Sequence, residues 1–145
     1  MVGRKMIAVL FGVAAMFWVI GLVIFSPFQS SSTNDKYLIP EGFEGDIQVN
    51  YNVQGAPALE KEGKYDIIPI REDGTYDTSK PEMEYGMVTD QYFYVDSEGR
   101  RTPIDVRCIY VGGNGSSEVG STIIHHTYLK VTRTKCSDDY RAWGS

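Results

Sequence analysis

The stretch "DIQVNYNV", Asp46 to Val53, decides the fold. Ile47, Val49, Tyr51 and Val53 alternate strictly with Asp46, Gln48, Asn50 and Asn52. Successive side chains of a strand point to opposite faces, so this stretch predicts a strand with one apolar face on a core and one polar row in water. A helix would instead repeat its apolar positions every three or four residues.

Toward the C-terminus, Gln54–Pro57 turns the chain and Glu60–Gly63 supplies a second polar break. "KYDIIPI", Lys64–Ile70, predicts a second strand. Pro69 has no N–H for a ladder, so that strand ends there or runs along an edge. Asp73-Gly74 is a hairpin signal that joins it to Thr75–Thr78, and Ser79–Glu82 is a loop. Gln91–Val95 is β-prone, and Asp96–Gly99 turns it. Ile104–Val111 predicts a strand with Ile104, Val106, Cys108 and Tyr110 on one face. "GGNGSSEVG", Gly112–Gly120, reads as a flexible loop, and Ser121–Thr132 as the longest strand. Ser137, Asp138 and Asp139 suit the first turn of a short C-terminal helix ending near Trp143 and Gly144. Short strands separated by turns, with almost no helix, predict an all-β domain, a small β-sandwich or barrel-like fold.

Toward the N-terminus, Pro40 and Gly42 break up "YLIPEGFEG", Tyr37–Gly45. Its apolar Leu38, Ile39 and Phe43 are expected to tuck against the edge of a sheet. Ser26–Lys36 reads as a flexible spacer. Ahead of it, Met6–Phe25 is an apolar run of twenty residues with no charge, amide or hydroxyl. At ~1.5 Å per residue it spans ~30 Å, the thickness of a bilayer's hydrocarbon core. The chain is therefore expected to divide into a cytoplasmic N-terminus (1–5), a transmembrane signal-anchor helix (6–25), a linker (26–36) and an extracytoplasmic β-rich domain (37–145). Arg4 and Lys5 precede the run, which by the positive-inside rule puts the N-terminus in the cytoplasm and the domain outside. The rival reading is a cleaved signal peptide and a secreted domain. Its apolar region is usually about 7–15 residues and ends in a small-x-small site, whereas Ser26-Pro27-Phe28-Gln29-Ser30 follows here. No lipobox cysteine lies near the run.

Apart from Arg4 and Lys5, the 145-residue chain carries twelve basic and nineteen acidic residues, a charge of about −7. That excess argues against nucleic acid or an anionic lipid surface as a partner.

The string from Tyr37 to Ser79, which opens Leu38-Ile39-Pro40-Glu41-Gly42, resembles a known family. Ile68–Ile70, Asp73-Gly74, "YFYVDSEGRRTPI" and Gly115–Glu118 extend the likeness over most of residues 37–120. The family comprises small extracytoplasmic proteins of bacilli and their relatives, catalogued as a domain of unknown function. Its members commonly carry a signal or lipoprotein leader ahead of that opening, so the resemblance implies an extracytoplasmic, β-rich domain. It assigns no activity and no catalytic residue.

His125 and His126 are neighbours on a predicted strand, so they point to opposite faces and cannot share a metal without a bulge. Gly112–Gly120 lacks the Lys-Ser/Thr of a phosphate loop and forms no nucleophile elbow. Asn114-Gly115-Ser116 is formally a glycosylation sequon. Asp73, Gly74 and Asp77 are too few for a calcium loop and read as turn chemistry. Ser116 and Ser117 could pair with a histidine as nucleophile and base, yet no motif orients them. No catalytic, cofactor or metal residue is therefore assigned, and no cofactor is expected. Cys108 and Cys136, an even pair in an exported domain, invite a disulfide. Against this, a hairpin centred near Ser116 would set Cys108 opposite Ile124 and leave Cys136 twelve residues further on, so a bond requires the chain to fold back after Arg133.

The function expected is a non-enzymatic binding or structural module at the cell surface. Its partners are the membrane and an envelope or protein ligand, and its ten tyrosines supply contact area. The alternative is an envelope enzyme acting on wall or carbohydrate substrates, which would need convergent carboxylates in a cleft.

Overall fold

The computed structural model describes residues 31–136. The apolar run Met6–Phe25 and the helix expected from Ser137 lie outside the described residues. Among the described residues, no helix is long and apolar enough to cross a membrane.

Among the described residues, nine strands form two mixed sheets. The first contains β3 (Glu60–Glu62), β4 (Tyr65–Pro69), β1 (Asp35–Pro40), β6 (Gln91–Val95) and β7 (Arg101–Pro103), in that spatial order. The second contains β5 (Thr75–Asp77), β2 (Gly45–Tyr51), β9 (Thr122–Val131) and β8 (Ile109–Val119), in that order. In the first sheet β1 runs parallel to both β4 and β6. In the second, β2 pairs parallel with β5 and antiparallel with β9.

The two sheets share one core. Tyr37, Ile39, Ile68 and Tyr92 from the first pack with Ile47, Val49, Tyr51, Leu129 and Val131 from the second. The alternation in β2 shows why: Ile47, Val49 and Tyr51 are each 1% exposed or less, whereas Asp46, Gln48 and Asn50 face outward. Tyr37 and Tyr92 stack with their ring centroids 5.3 Å apart, which binds β1 to its neighbour β6 on the core face of the first sheet.

Five expectations need correction. The segment around Tyr37–Pro40 lies at the middle of the first sheet, not against an edge. Pro40 ends the strand and Gly42 lies beyond it, so the breakers bound β1 without preventing it. Its first residues, Asp35 and Lys36, belong to the spacer by composition, yet they are buried strand residues. Lys36 Nζ meets Glu62 Oε1 at 2.7 Å and lies over the Tyr65 and Phe93 rings.

Asp73-Gly74 does not close a hairpin within one sheet, because β4 and β5 belong to different sheets. The Arg71–Thr75 turn carries the chain across, and Gly74 sits there at φ +82° with its carbonyl accepting from Gln48 N. The strand expected over Ile104–Val111 begins only at Ile109, because Asp105 caps a 3₁₀ turn at Val106–Cys108. Finally, the loop expected at Gly112–Gly120 is mostly strand: β8 continues through it to Val119, with a bulge between Val111 and Gly113.

The turn after β1 defines one end of the domain, where Glu41 N bonds Val95 O and the Thr132 hydroxyl bonds Glu44. The opposite end is where the chain enters. It holds the start of β1, the end of β2 and the tip of the β8–β9 hairpin, tied by Asn52 Nδ2 donating to Ile123 O at 2.9 Å.

Candidate functional site

The outward face of the second sheet is built by strand alternation. Cross-strand pairing sets Gln48 beside Thr75 and Tyr128, and Asn50 beside Asp77 and His126. On β8, Gly113 pairs with Tyr128 and Gly115 with His126. The glycines leave that part of the strand bare, and the Tyr128 ring covers it: a Cβ added at Gly115 would lie 3.3 Å from the ring. Tyr128 is 39% exposed, and its centroid lies 5.9 Å from that of His126.

A continuous polar track crosses all four strands here. Arg71 donates to Asp77 at 2.7 Å, and Asn50 Nδ2 donates to the other Asp77 oxygen at 2.7 Å. Asn50 Oδ1 lies 2.7 Å from His126 Nδ1, and His126 Nε2 lies 2.7 Å from Ser117 Oγ. Gln48 Nε2 also donates to Asn50 Oδ1.

The direction of every bond follows from one group. A carboxylate only accepts, so the Asn50 amide must turn its NH₂ to Asp77. Its oxygen then faces His126 and requires Nδ1 to carry a proton; in the neutral imidazole Nε2 is then the acceptor for the Ser117 hydroxyl. The hydrogen bond from Asn50, and then Arg71, hold the Asp77 carboxyl below its usual range. The charges on this face are paired, with Asp77 on Arg71 and Asp46 on Lys130 at 3.2 Å. Two shallow clefts flank the track. One, of about 410 Å³, is lined by Asn50, Ser117, Val119, Ile124 and His126; the other, of about 360 Å³, by Gln48, Thr75, Tyr110, Tyr128 and Lys130.

The remaining sequence candidates separate. His125 lies on the opposite face from His126, paired with Tyr51 and Ser116, and no metal-holding group of side chains occurs among the described residues. Ser116 points away from the track, while Ser117 joins it. Asn114 of the sequon lies on β8 and accepts from the Thr127 hydroxyl at 3.2 Å. Asp73 accepts from the backbone and hydroxyl of Thr75, a turn bond, while Asp77 belongs to the track. Asn52 leaves the polar row, turned aside at φ +64°.

Cys108 and Cys136 are joined by a disulfide with Cα atoms 4.2 Å apart. The hairpin turns at Gly120-Ser121, not near Ser116, so Ile109 pairs with Val131 and Thr132 N bonds Cys108 O. Cys136 then needs to return across only four residues. That same register brings Ser117 to His126, a contact hidden when the hairpin is centred elsewhere.

No curated protein matches the chain. Among solved structures it is similar to a candidate lipoprotein from Bacillus anthracis, determined at 2.75 Å. The two are 41% identical with a TM-score of 0.75, over 79% of this chain and 80% of that one. A family model matches residues 31–140, which take in every described strand and both cysteines. The chain thus belongs to the family of unknown function DUF6843.

Proposed function

We propose that the chain is a membrane-attached β-sandwich displayed at the cell surface, acting as a non-enzymatic binding module through the open face of its second sheet. The likeness to a candidate lipoprotein supports attachment at a membrane. In this reading Met6–Phe25 is the anchor and the domain stands outside. The ligand is a neutral, hydroxyl-rich molecule, a glycan of the envelope. The observation that carries this is the polar track from Arg71 to Ser117 beside Tyr128. Its amides, hydroxyl and imidazole have fixed orientations, and its charges are internally neutralised. Such a surface matches the alternating donors and acceptors of a sugar, with an aromatic ring for the apolar sugar face.

The test is co-sedimentation of the full-length protein, held in nanodiscs, with purified envelope polysaccharide. Asn50→Ala and Tyr128→Ala should each weaken binding at least about ten-fold, which is ~1.4 kcal/mol, and leave the far-UV spectrum unchanged. Equal binding by both variants would remove this face from the function.

One observation favours a second reading. Ser117, His126 and Asn50 stand in the order of a nucleophile, its base and an orienting group. A hydrolase also needs donors for the developing oxyanion and a water-excluding pocket, whereas Ser117 is exposed on an open sheet. A fluorophosphonate probe that labels the protein, and fails on Ser117→Ala, would establish the hydrolase. No labelling is the outcome expected.

A further inference from the structure

Eight large apolar side chains are exposed among the described residues, and five of them lie at the entry end of the domain. Tyr85, Met87 and Val88 are 53%, 66% and 52% exposed on the loop before β6. Val119 and Ile123, 64% and 47% exposed, flank the tip of the β8–β9 hairpin. The two groups come from segments more than thirty residues apart, yet topology brings both to one end. β9 runs from its tip toward Val131 beside the β1–β2 turn, and its His125 pairs with Tyr51, the last residue of β2. Thr122, Ile123 and Ile124 overhang β2, by ~10 Å at strand rise.

The loop is stitched to the residues at which the chain enters. Met87 N bonds Ser31 O, and Thr33 N bonds Met87 O, both at 3.0 Å. That closeness requires glycine at Gly86, because a Cβ there would lie 2.1 Å from Ser31 O. Along the sequence, six peptide steps separate Phe25, the last residue of the apolar run, from Ser31. They reach at most ~20 Å when fully extended.

We propose that this end rests on the bilayer that holds the protein, with Tyr85, Met87, Val88, Val119 and Ile123 in its interfacial layer. The inference rests on the membrane-attached reading above. Exposed apolar side chains gathered at one end of a domain mark an interaction site, and here the connection to the apolar run selects lipid as the occupant. Tyrosine suits the headgroup level, and the Tyr85 hydroxyl keeps a polar partner in Glu82 at 2.7 Å. The neighbouring charges are chiefly acidic, namely Glu82, Glu84 and Glu118. Contact is therefore driven by apolar insertion, not by anionic headgroups, and is insensitive to salt. The outward face of the second sheet is left open to the side.

The test uses the full-length protein in neutral lipid vesicles, with single added cysteines carrying a bimane dye. Met87→Cys and Val119→Cys probe the proposed contact, and Glu98→Cys, in the β6–β7 turn at the far end, serves as reference. Lipids bearing a shallow nitroxide should quench the dyes at 87 and 119 at least two-fold more than the dye at 98. If the vesicles float with the protein but all three dyes are quenched alike, the contact is refuted while the anchored reading stands. Protein that stays behind when the vesicles float refutes both. Cross-linking of Met87→Cys between copies, without lipid quenching, would assign the patch to a second molecule and overturn the proposal.

Discussion

Asp35 shows how one side chain can set the pH response of the domain. It is 5% exposed, and burial, reinforced by the nearby Asp90 carboxylate, raises its pKa from 3.8 to about 8. Burial likewise raises Asp90, which accepts from the Thr33 hydroxyl and from Asp35 N. A carboxyl with a raised folded pKa binds its proton more tightly in the folded state. Its contribution to stability is therefore complete below about pH 4 and is lost as pH rises toward 8. Asp66 behaves oppositely: burial pushes its pKa up, but hydrogen bonds from Lys61 and Lys80 bring it below the usual value. Its contribution is present above pH 3.8 and is lost in stronger acid. Stability should peak in mild acid, and Asp35→Asn should flatten the alkaline side, gaining about 2–3 kcal/mol on wild type between pH 5 and 8 in urea titrations. No fall in wild-type stability over that interval would contradict this. Gly74→Ala should cost about 2–4 kcal/mol by the same titration, because Gly74 lies at φ +82° and a Cβ would sit 2.5 Å from Asp46 O. At this scale the sequence hid most of the site. Asn50 and Gln48 were legible as an outward row, but the partnership of Ser117 with His126 depends on a register that no single residue announces.

Among the strands, legibility followed side-chain pattern. β2, β6 and β9 alternate or carry β-branched and aromatic residues, and the sequence placed them within a residue or two. The part of β8 beyond Val111 was invisible because Gly112, Gly113 and Gly115 remove the side chains that would show alternation, and Tyr128 of the neighbouring strand supplies their cover instead. β1 was hidden for another reason: Asp35 and Lys36 look like linker, yet each is buried at the centre of a sheet. The disulfide acts on an element as well, closing a 28-residue separation around the whole β8–β9 hairpin. Replacing both cysteines by serine should cost about 3–4 kcal/mol, read as a lower denaturation midpoint with an unchanged far-UV spectrum. A change below 1 kcal/mol would mean that the ladder pairs alone hold the hairpin.

At the scale of the whole domain, the all-β class of the described residues was readable from turn spacing. The two-sheet topology was not, because parallel pairing of β1 with β4 and β6 joins segments that composition alone cannot match. The domain's true start follows from that pairing. A chain beginning at Ser31 should fold and give a strand-dominated far-UV spectrum. One beginning at Tyr37 loses Asp35 and Lys36 from the central strand, together with the hydrogen bonds of Thr33 and Asn34 to Thr89 and Asp90, and should be unfolded or aggregated. Equal spectra from the two would show that the entry residues are dispensable.

If the domain stands outside the membrane, as proposed, the bond between Cys108 and Cys136 also leaves a chemical memory of where each molecule has been. The chain has two cysteines in all, so a molecule held back in a reducing compartment keeps both thiols, whereas one that has reached an oxidising exterior has none. Alkylation under denaturing conditions would add two tags to the first and none to the second. In a gel of whole cells, delivered and stranded copies would then separate by mass, and the ratio of the bands would measure export without any fractionation.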